Sequence, residues 1–143
     1  MSAAVQERPS GLSRLRVLAA DDQPENLELL AAILGDEGFD IRFARDGVEA
    51  LDAIVGDPPD AVLLDVMMPR LDGFEVCRRV KRARATCFIP VVLLTALSDV
   101  ESKVRGLEAG ADDFLNKPFH RAELLTRLRS LLRIRALRDE LDS

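Results

Sequence analysis

The chain has 143 residues, of which 48% are hydrophobic and 31% are charged, and its formal net charge is −5. A chain of this length suits one domain with a substantial core, and its acidic balance argues against direct nucleic-acid binding. No apolar run approaches the roughly 20 residues that span a bilayer, so we expect no membrane partner. Cys77 and Cys87 form no disulfide or metal-binding pattern, which favours a cytoplasmic protein with free thiols.

The composition divides the chain into three parts. Residues 1–14 are mostly small and polar, and we predict that they form a flexible N-terminal tail. Residues 15–132 carry one continuous alternation of apolar and amphipathic segments, which predicts a single domain. Residues 133–143 continue the last helical pattern and predict a helical extension that could form a coiled-coil stalk.

Short apolar runs alternate with amphipathic segments along the predicted domain. Apolar runs predict strands, and apolar residues spaced three or four apart predict helices. The predicted strands span residues 15–20, 39–44, 60–64, 90–94 and 113–115. The predicted helices span residues 24–37, 47–55, 73–83, 99–109 and 120–141, with Gly38 ending the first and Gly110 the fourth.

Local signals refine these elements. In the second strand Phe39, Ile41 and Phe43 alternate with polar residues, which is typical of a half-solvated strand at a sheet edge. Asp46 and Ser98, each with a glutamate three residues later, form capping-box patterns at the second and fourth helices, and Asp72 is the predicted N-cap of the third. Helical spacing predicts an apolar face on the fourth helix, formed by Val100, Val104 and Leu107.

Polar residues follow the apolar runs at the ends of four predicted strands. Strands separated by helices indicate a doubly wound parallel sheet, and right-handed crossovers bring all the carboxyl ends to one edge. Ligands bind at that edge. The residues placed there are Asp21, Asp22, Asp65, Thr95 and Lys117.

This set of side chains suits phosphoryl transfer. Three neighbouring carboxylates repel one another unless a cation joins them, and all-oxygen ligands favour Mg²⁺, with Mn²⁺ as an alternative. Lys117 and Thr95 could bind phosphoryl oxygens, and a carboxylate such as Asp65 is a competent nucleophile that forms an aspartyl phosphate.

Four motifs then carry a resemblance over residues 15–132. They read LAADDQPEN, LLDVMMPRLDG, PVVLLTA and GADDFLNKPF. With these four motifs in this order, the sequence resembles the receiver domain of two-component response regulators. The resemblance implies a flavodoxin-like (βα)5 fold with strand order 2-1-3-4-5. It also implies a histidine kinase or phosphotransfer protein as donor, and control of an output domain or protein.

The resemblance also implies roles for individual residues. Asp65 is similar to the phosphoacceptor, Asp22 to the direct Mg²⁺ ligand, and Asp21 to an acid that binds through water or supports the site. The backbone carbonyl of Met67 would be the third protein ligand, and Lys117 resembles the lysine that contacts the phosphoryl group.

A second group of implied roles concerns the conformational switch. Thr95 resembles the switch hydroxyl, and Phe114 resembles the aromatic residue that moves inward when the hydroxyl approaches the phosphate. Pro118 resembles the proline of a lysine-proline turn that is often cis, although the sequence does not establish the isomer.

Two apolar residues suggest how long the phosphoryl group lasts. Met67 lies two residues after Asp65, and Leu97 lies two residues after Thr95. Neither side chain can orient a water molecule for attack. We therefore interpret both as tuning residues that slow self-dephosphorylation.

The last predicted helix is longer than a sheet-covering helix needs to be. Leucines from Leu124 to Leu132 form a broad apolar face, whereas Ile134, Leu137 and Leu141 follow the narrower spacing of a coiled-coil seam. We therefore expect a homodimer through the sheet-edge face and this helix. The chain could stand alone or be the N-terminal part of a longer protein.

Two other functions compete with a signalling module. A Mg²⁺-dependent phosphatase with an aspartyl-phosphate intermediate would usually carry an acid two residues after its nucleophile, where this chain has Met67. A non-phosphorylated, flavin-type binding module would need a hydroxyl- and glycine-rich loop after the first strand, where this chain has the acidic stretch DDQPEN. We therefore expect a phosphoacceptor and not an enzyme.

Overall fold

The computed structural model describes residues 14–96 and 100–142. Five strands and five helices alternate along these residues. The strands are β1 Arg16–Ala20, β2 Asp40–Ala44, β3 Ala61–Asp65, β4 Val91–Thr95 and β5 Asp113–Asn116. The helices are α1 Pro24–Asp36, α2 Gly47–Gly56, α3 Gly73–Arg82, α4 Val100–Ala109 and α5 Arg121–Asp142.

The strands form one parallel sheet in the order β2-β1-β3-β4-β5, which confirms the predicted topology. In the register, Ala20 pairs with Ala44 on one side and Leu64 on the other. Farther along, Thr95 pairs with Asn116. The carboxyl ends of all the strands therefore lie at the same edge of the sheet, as the alternating pattern predicted.

Two hydrophobic cores enclose the sheet, one on each face. The helices α1 and α5 cover one face, and α2, α3 and α4 cover the other. Alternate residues of β3 enter the two cores, with Leu63 in the first and Leu64 in the second. Burying each such side chain stabilises the fold by about 1.5–3 kcal/mol, so β3 is held firmly from both sides.

Several predicted helix ends are confirmed. Asp46 and Asp72 accept hydrogen bonds of 2.8 Å from the backbone N–H groups of Glu49 and Glu75, and so cap α2 and α3. A positive φ of 88° follows α1 at Gly38, and one of 92° follows α4 at Gly110; glycine adopts this conformation without steric cost. The predicted cap Ser98 lies outside the described residues.

The apolar face predicted for α4 is not the side that packs on the sheet. Val100, Val104 and Leu107 are 77%, 44% and 64% exposed, and the helix buries Gly106 and Ala109 instead. Small residues lie on the inner side because the helix approaches the sheet closely there. Helical spacing alone could not distinguish the two sides.

The edge position predicted for β2 is confirmed. Of the alternating residues, Phe39 is buried, Ile41 is partly buried and Phe43 is exposed. Burial therefore decreases from Phe39 to Phe43 among these three residues, while Ala44 at the end of β2 is fully buried.

The helix α5 continues past the end of the core. Leu124, Leu128 and Leu132 are buried against the sheet, as predicted. Farther on, the Arg135 side chain donates hydrogen bonds to the carbonyl oxygens of Pro59 and Asp60, at 3.2 and 2.9 Å.

The next turn of α5 also contacts the domain, because the Arg138 guanidinium lies 5.1 Å from the centre of the Phe88 ring. The seam residues Ile134, Leu137 and Leu141 remain exposed. No helix in the described part of the chain is long and apolar enough to cross a membrane.

Candidate functional site

The carboxyl edge of the sheet brings together the polar residues that follow the strands. Asp21 and Asp22 come directly after β1, whereas Asp65 and Thr95 are the last residues of β3 and β4. Lys117 follows the last residue of β5. All the residues expected at this edge therefore lie on neighbouring strands, in the arrangement that the alternating pattern predicted.

The three acids form a compact cluster. Asp21, Asp22 and Asp65 each offer a carboxylate oxygen, and these oxygens lie within 4.8 Å of one another. Asp21 is fully buried, Asp65 is 5% exposed, and Asp22 is exposed. Close carboxylates of this kind destabilise one another unless a positive charge lies between them.

Lys117 supplies a positive charge within the cluster. Its Nζ atom lies 2.8 Å from Asp21 Oδ2 and 2.7 Å from Asp65 Oδ1. The other oxygen of Asp21 accepts a 3.0 Å hydrogen bond from the backbone N–H of Gln23. Both oxygens of Asp21 are therefore engaged by the protein, whereas Asp22 faces solvent.

Burial and charge act against each other in this site. Burial raises the pKa of the Asp65 carboxyl above its ordinary value, and the hydrogen bond from Lys117 only partly offsets this effect. Burial alone would lower the pKa of the Lys117 ammonium, but hydrogen bonds to Asp21 and Asp65 outweigh it and raise that pKa. Lys117 therefore stays charged at neutral pH.

The turn that carries Lys117 is tied to the neighbouring strand. The backbone N–H of Lys117 donates a 2.8 Å hydrogen bond to the carbonyl oxygen of Thr95. The Lys117–Pro118 peptide bond is cis. The sequence did not establish this isomer. The turn thus places the lysine beside the end of β4.

An open groove leads from solvent to this cluster. Asp22, Asp65 and Lys117 line it together with apolar side chains that include Leu29 and Met67. Met67 is 65% exposed at the groove, which places apolar bulk near Asp65. The second predicted tuning residue, Leu97, lies outside the described residues.

The two predicted switch residues lie on the neighbouring strands β4 and β5. Thr95 is 5% exposed at the end of β4, and Phe114 packs at the edge of the core that α4 covers. Both line the same small cavity between the sheet and α4. A movement of one side chain would therefore change the space available to the other.

Two glycines shape the loop beside the site, and the motifs pointed to Gly73 but not to Gly47. A Cβ atom on Gly73 would lie 2.4 Å from the carbonyl oxygen of Asp65, and one on Gly47 would lie 1.8 Å from that of Leu71. The loop after β3 thus packs directly against the first turns of α2 and α3. The recurring Asp-Gly pair at these helix starts was the signal that could have revealed the contact.

Residues 17–129 match the response regulator receiver domain family. This match includes β1 from Val17 onward, the other four strands and four complete helices, together with the acid cluster. The chain belongs to this family, and it is a receiver domain of two-component signalling.

Individual relatives agree with this assignment. The response regulator MprA of Mycobacterium avium is 48% identical over 129 residues, which are 90% of this chain and 56% of that protein. The signal receiver domain of a signal transduction histidine kinase from Syntrophus aciditrophicus is 39% identical, with a TM-score of 0.78 over 82% of this chain and 89% of that chain.

A longer solved structure is also similar. NtrX from Brucella abortus, in complex with ADP, is 32% identical, with a TM-score of 0.82 over 91% of this chain and 30% of that chain. The chain spans about half the length of the curated relatives it matches. The similarity to these longer proteins therefore concerns their receiver domains.

The acid cluster predicts how stability responds to Mg²⁺. Without the ion, Asp22→Asn should raise the free energy of unfolding, because it removes one of three repelling charges. Added Mg²⁺ should stabilise the wild type by about 2.7 kcal/mol at a free concentration one hundred times the dissociation constant. The variant should gain less, because it has lost one of the three clustered carboxylates.

Thermal denaturation with and without MgCl₂ measures both effects. Asp52→Asn is a matched control, because Asp52 is an exposed acid on α2, away from the cluster. The control should respond to the ion as the wild type does. Equal stabilisation of Asp22→Asn and the wild type by Mg²⁺ would contradict the prediction.

Proposed function

We propose that this receiver domain accepts a phosphoryl group on Asp65 with Mg²⁺ and changes its conformation and association in response. The observation that carries this proposal is the position of Lys117 Nζ, 2.7 Å from Asp65 Oδ1 and beside two further acids. A buried nucleophile, a fixed ammonium and a carboxylate cluster together suit the stabilisation of a transferring phosphoryl group.

The transfer itself requires one displacement at phosphorus. A carboxylate oxygen of Asp65 forms a bond to phosphorus, and the bond from phosphorus to the donor's histidine nitrogen breaks. The electron pair of that bond leaves with the nitrogen. The contact between Lys117 and Asp65 supports the proposal that the ammonium pairs with a phosphoryl oxygen once Asp65 carries the group.

The donor set at the cluster fits Mg²⁺, which favours a few carboxylates and retains several waters. Asp22, Asp65 and the carbonyl of Met67 would hold the ion, with Asp21 as a supporting acid. This division is supported by the engagement of both Asp21 oxygens with Lys117 and Gln23. Mg²⁺ would neutralise charge that accumulates on the phosphoryl oxygens, and Mn²⁺ offers a similar preference for oxygen ligands.

Thr95 and Phe114 are the proposed switch. Thr95 would donate a hydrogen bond to a phosphoryl oxygen on Asp65, and Phe114 would occupy space that this movement opens. The shared cavity between the two side chains supports this coupling. Pro118 would hold the turn that places Lys117.

The partners follow from the same chemistry. We propose a histidine kinase or a phosphotransfer protein as donor, and an output domain or protein as the target of control. The cytoplasm remains the predicted location, supported by free thiols at Cys77 and Cys87. The phosphatase alternative lacks support at Met67, because a thioether cannot act as a general acid.

Phosphorylation of Asp65 is directly testable. Incubation of the chain with acetyl phosphate and Mg²⁺ should add a phosphate-sized mass, measured on the intact protein. In this reaction the new oxygen–phosphorus bond forms as acetate leaves with the electron pair. Asp65→Asn should abolish the gain, and the exposed control Asp52→Asn should retain it. A wild type that stays unlabelled beside a labelled control receiver would refute the proposal.

The exposed side chain of Met67 predicts a long-lived phosphorylated form. Met67→Asn should shorten the lifetime several-fold, since an amide can orient the attacking water, and Leu97→Glu should add to this effect. Met67→Leu is the matched control, because it keeps apolar bulk at the groove. The lifetime is measured by loss of the phosphate mass after the donor is removed. Equal lifetimes for Met67→Asn and Met67→Leu would remove Met67 as a tuning residue.

We also propose that the domain dimerises through the sheet-edge face and α5. The support is the exposed seam of Ile134, Leu137 and Leu141, which lies on a different side of the helix from the buried leucines. At about 100° per residue, the seam is rotated by more than a third of a turn from Leu128 and Leu132. A second helix could therefore pack on the seam without displacing α5 from its own domain.

The seam predicts the effect of a buried charge on association. Leu137→Glu should keep the protein monomeric under conditions where the phosphorylated wild type dimerises, because a carboxylate would be buried in the seam. Ala136→Glu introduces the same charge on another side of the helix and should leave dimerisation unchanged. Light scattering gives the masses, with a chain ending at Leu132 as a further comparison. If Leu137→Glu dimerises as strongly as the wild type, the seam is excluded as the dimer interface.

A further inference from the structure

Small residues attach α4 to the domain, and Gly106 lies at the centre of this attachment. It is buried in the second turn of the helix, followed by Ala109 at its end. A glycine inside a helix ordinarily weakens it relative to alanine. A specific packing reason should therefore offset that cost at this position.

The packing reason is the ring of Phe114. A Cβ atom on Gly106 would lie 2.2 Å from Phe114 Cε1 and 2.3 Å from Phe114 Cζ, and 3.1 Å from Leu93 Cδ1. Carbon atoms pack at about 3.5–4.0 Å. The ring and a side chain at position 106 therefore exclude each other.

This contact involves Phe114, one of the two proposed switch residues, and a cavity next to the ring reaches the other, Thr95. The cavity next to the ring is lined by Thr95 and Asn116 at the sheet and by Phe74, Ser102 and Lys103 around it. We call the space beside Gly106 and Leu93 that the Phe114 ring occupies the ring slot. Because Thr95 and Phe114 line one cavity, the position of the ring limits the space open to the Thr95 side chain.

The helix on the other side of the slot is held at two further points. The Arg105 guanidinium lies 4.3 Å from the centre of the Phe74 ring. The Cys77 thiol donates to the carbonyl oxygen of Ala109 at 3.5 Å. With α4 held on both sides of Gly106, the side chain of Phe114 is the part that can move, by rotation about its χ1 bond.

We propose that Gly106 is a positioning residue for Phe114: its lack of a side chain admits the ring to the ring slot, and a substituent at this position expels it. The consequence for signalling rests on the proposed function, because it requires phosphorylation of Asp65 to draw Thr95 toward the phosphate. The steric relation between Gly106 and Phe114 stands apart from phosphorylation and can be measured without it.

The composition of the chain offers a direct probe. The sequence contains no tryptophan and no tyrosine, so Phe114→Tyr creates a single tyrosine at the ring position. Acrylamide quenching of its fluorescence then reports how exposed the ring is. The parent Phe114→Tyr protein should be partly protected, and adding Gly106→Ala should increase the quenching constant several-fold.

A second glycine serves as the matched control. Gly35 lies in α1, and nothing lies within 4 Å of a Cβ atom placed on it. Gly35→Ala in the Phe114→Tyr background should leave the quenching constant unchanged. Unchanged quenching after Gly106→Ala as well would overturn the inference, because the ring would then tolerate a side chain at that position.

A double-mutant cycle tests the same contact without a fluorophore. Gly106→Ala should lower the melting temperature of the wild type but raise that of Phe114→Ala by about 2–4 °C, because alanine is the better helix former once the ring is gone. A rise in both backgrounds would overturn the inference. If Gly106→Ala alone does not fold, a folded double variant still supports it, and failure of both variants to fold counts against it.

The two proposals fail separately. If acetyl phosphate with Mg²⁺ leaves wild-type Asp65 unlabelled, the proposed function fails while the coupling between Gly106 and Phe114 can still be observed. If Asp65 is labelled, phosphorylation should lower the quenching constant of Phe114→Tyr and should not lower it after Gly106→Ala. A phosphorylation-dependent decrease that survives Gly106→Ala would refute the role of Gly106 in the switch.

Discussion

The carboxyl edge of the sheet depends on the ion pairs of Lys117. Its ammonium lies 2.8 Å from Asp21 and 2.7 Å from Asp65. Two of the three clustered acids are buried, and a buried carboxylate without a partner costs several kcal/mol. The lysine offsets this cost without blocking Asp22, which stays open to solvent. The same contact places a cation on the carboxylate that we propose as nucleophile.

The fold makes this arrangement rigid by burying the strands that end in it. All five residues of β3 are buried, and β1 and β4 flank it. The loop after β3 has little freedom, because Gly73 and Gly47 let α3 and α2 approach its backbone closely. The Arg70 side chain adds an ion pair of 3.2 Å to Asp46 from within this loop. Asp65 is therefore positioned from both the strand and the loop.

The helices α4 and α5 are attached to the sheet in different ways. The larger apolar side chains of α4 face solvent, and its inner side relies on Gly106 and Ala109. In contrast, α5 is anchored by leucines and then by Arg135 at the opposite end of the sheet from Asp65. The attachment of α4 thus depends on a close approach of its backbone, whereas that of α5 depends on large apolar side chains and one arginine.

The sequence by itself determined the parallel sheet, the helix caps at Asp46 and Asp72, and the meeting of polar residues at one sheet edge, whereas the strand order was implied by the resemblance to receiver domains. It could do so because strand burial, capping and parallel crossovers depend on local pattern and on general chain geometry. Tertiary structure alone decided which side of α4 is buried, how Arg135 docks α5, and that Gly106 faces the ring of Phe114. Each of these is a contact between segments distant in sequence or a close approach of backbone. Helical spacing shows that a helix has an apolar side, but it does not show the shape of the surface on which the helix packs.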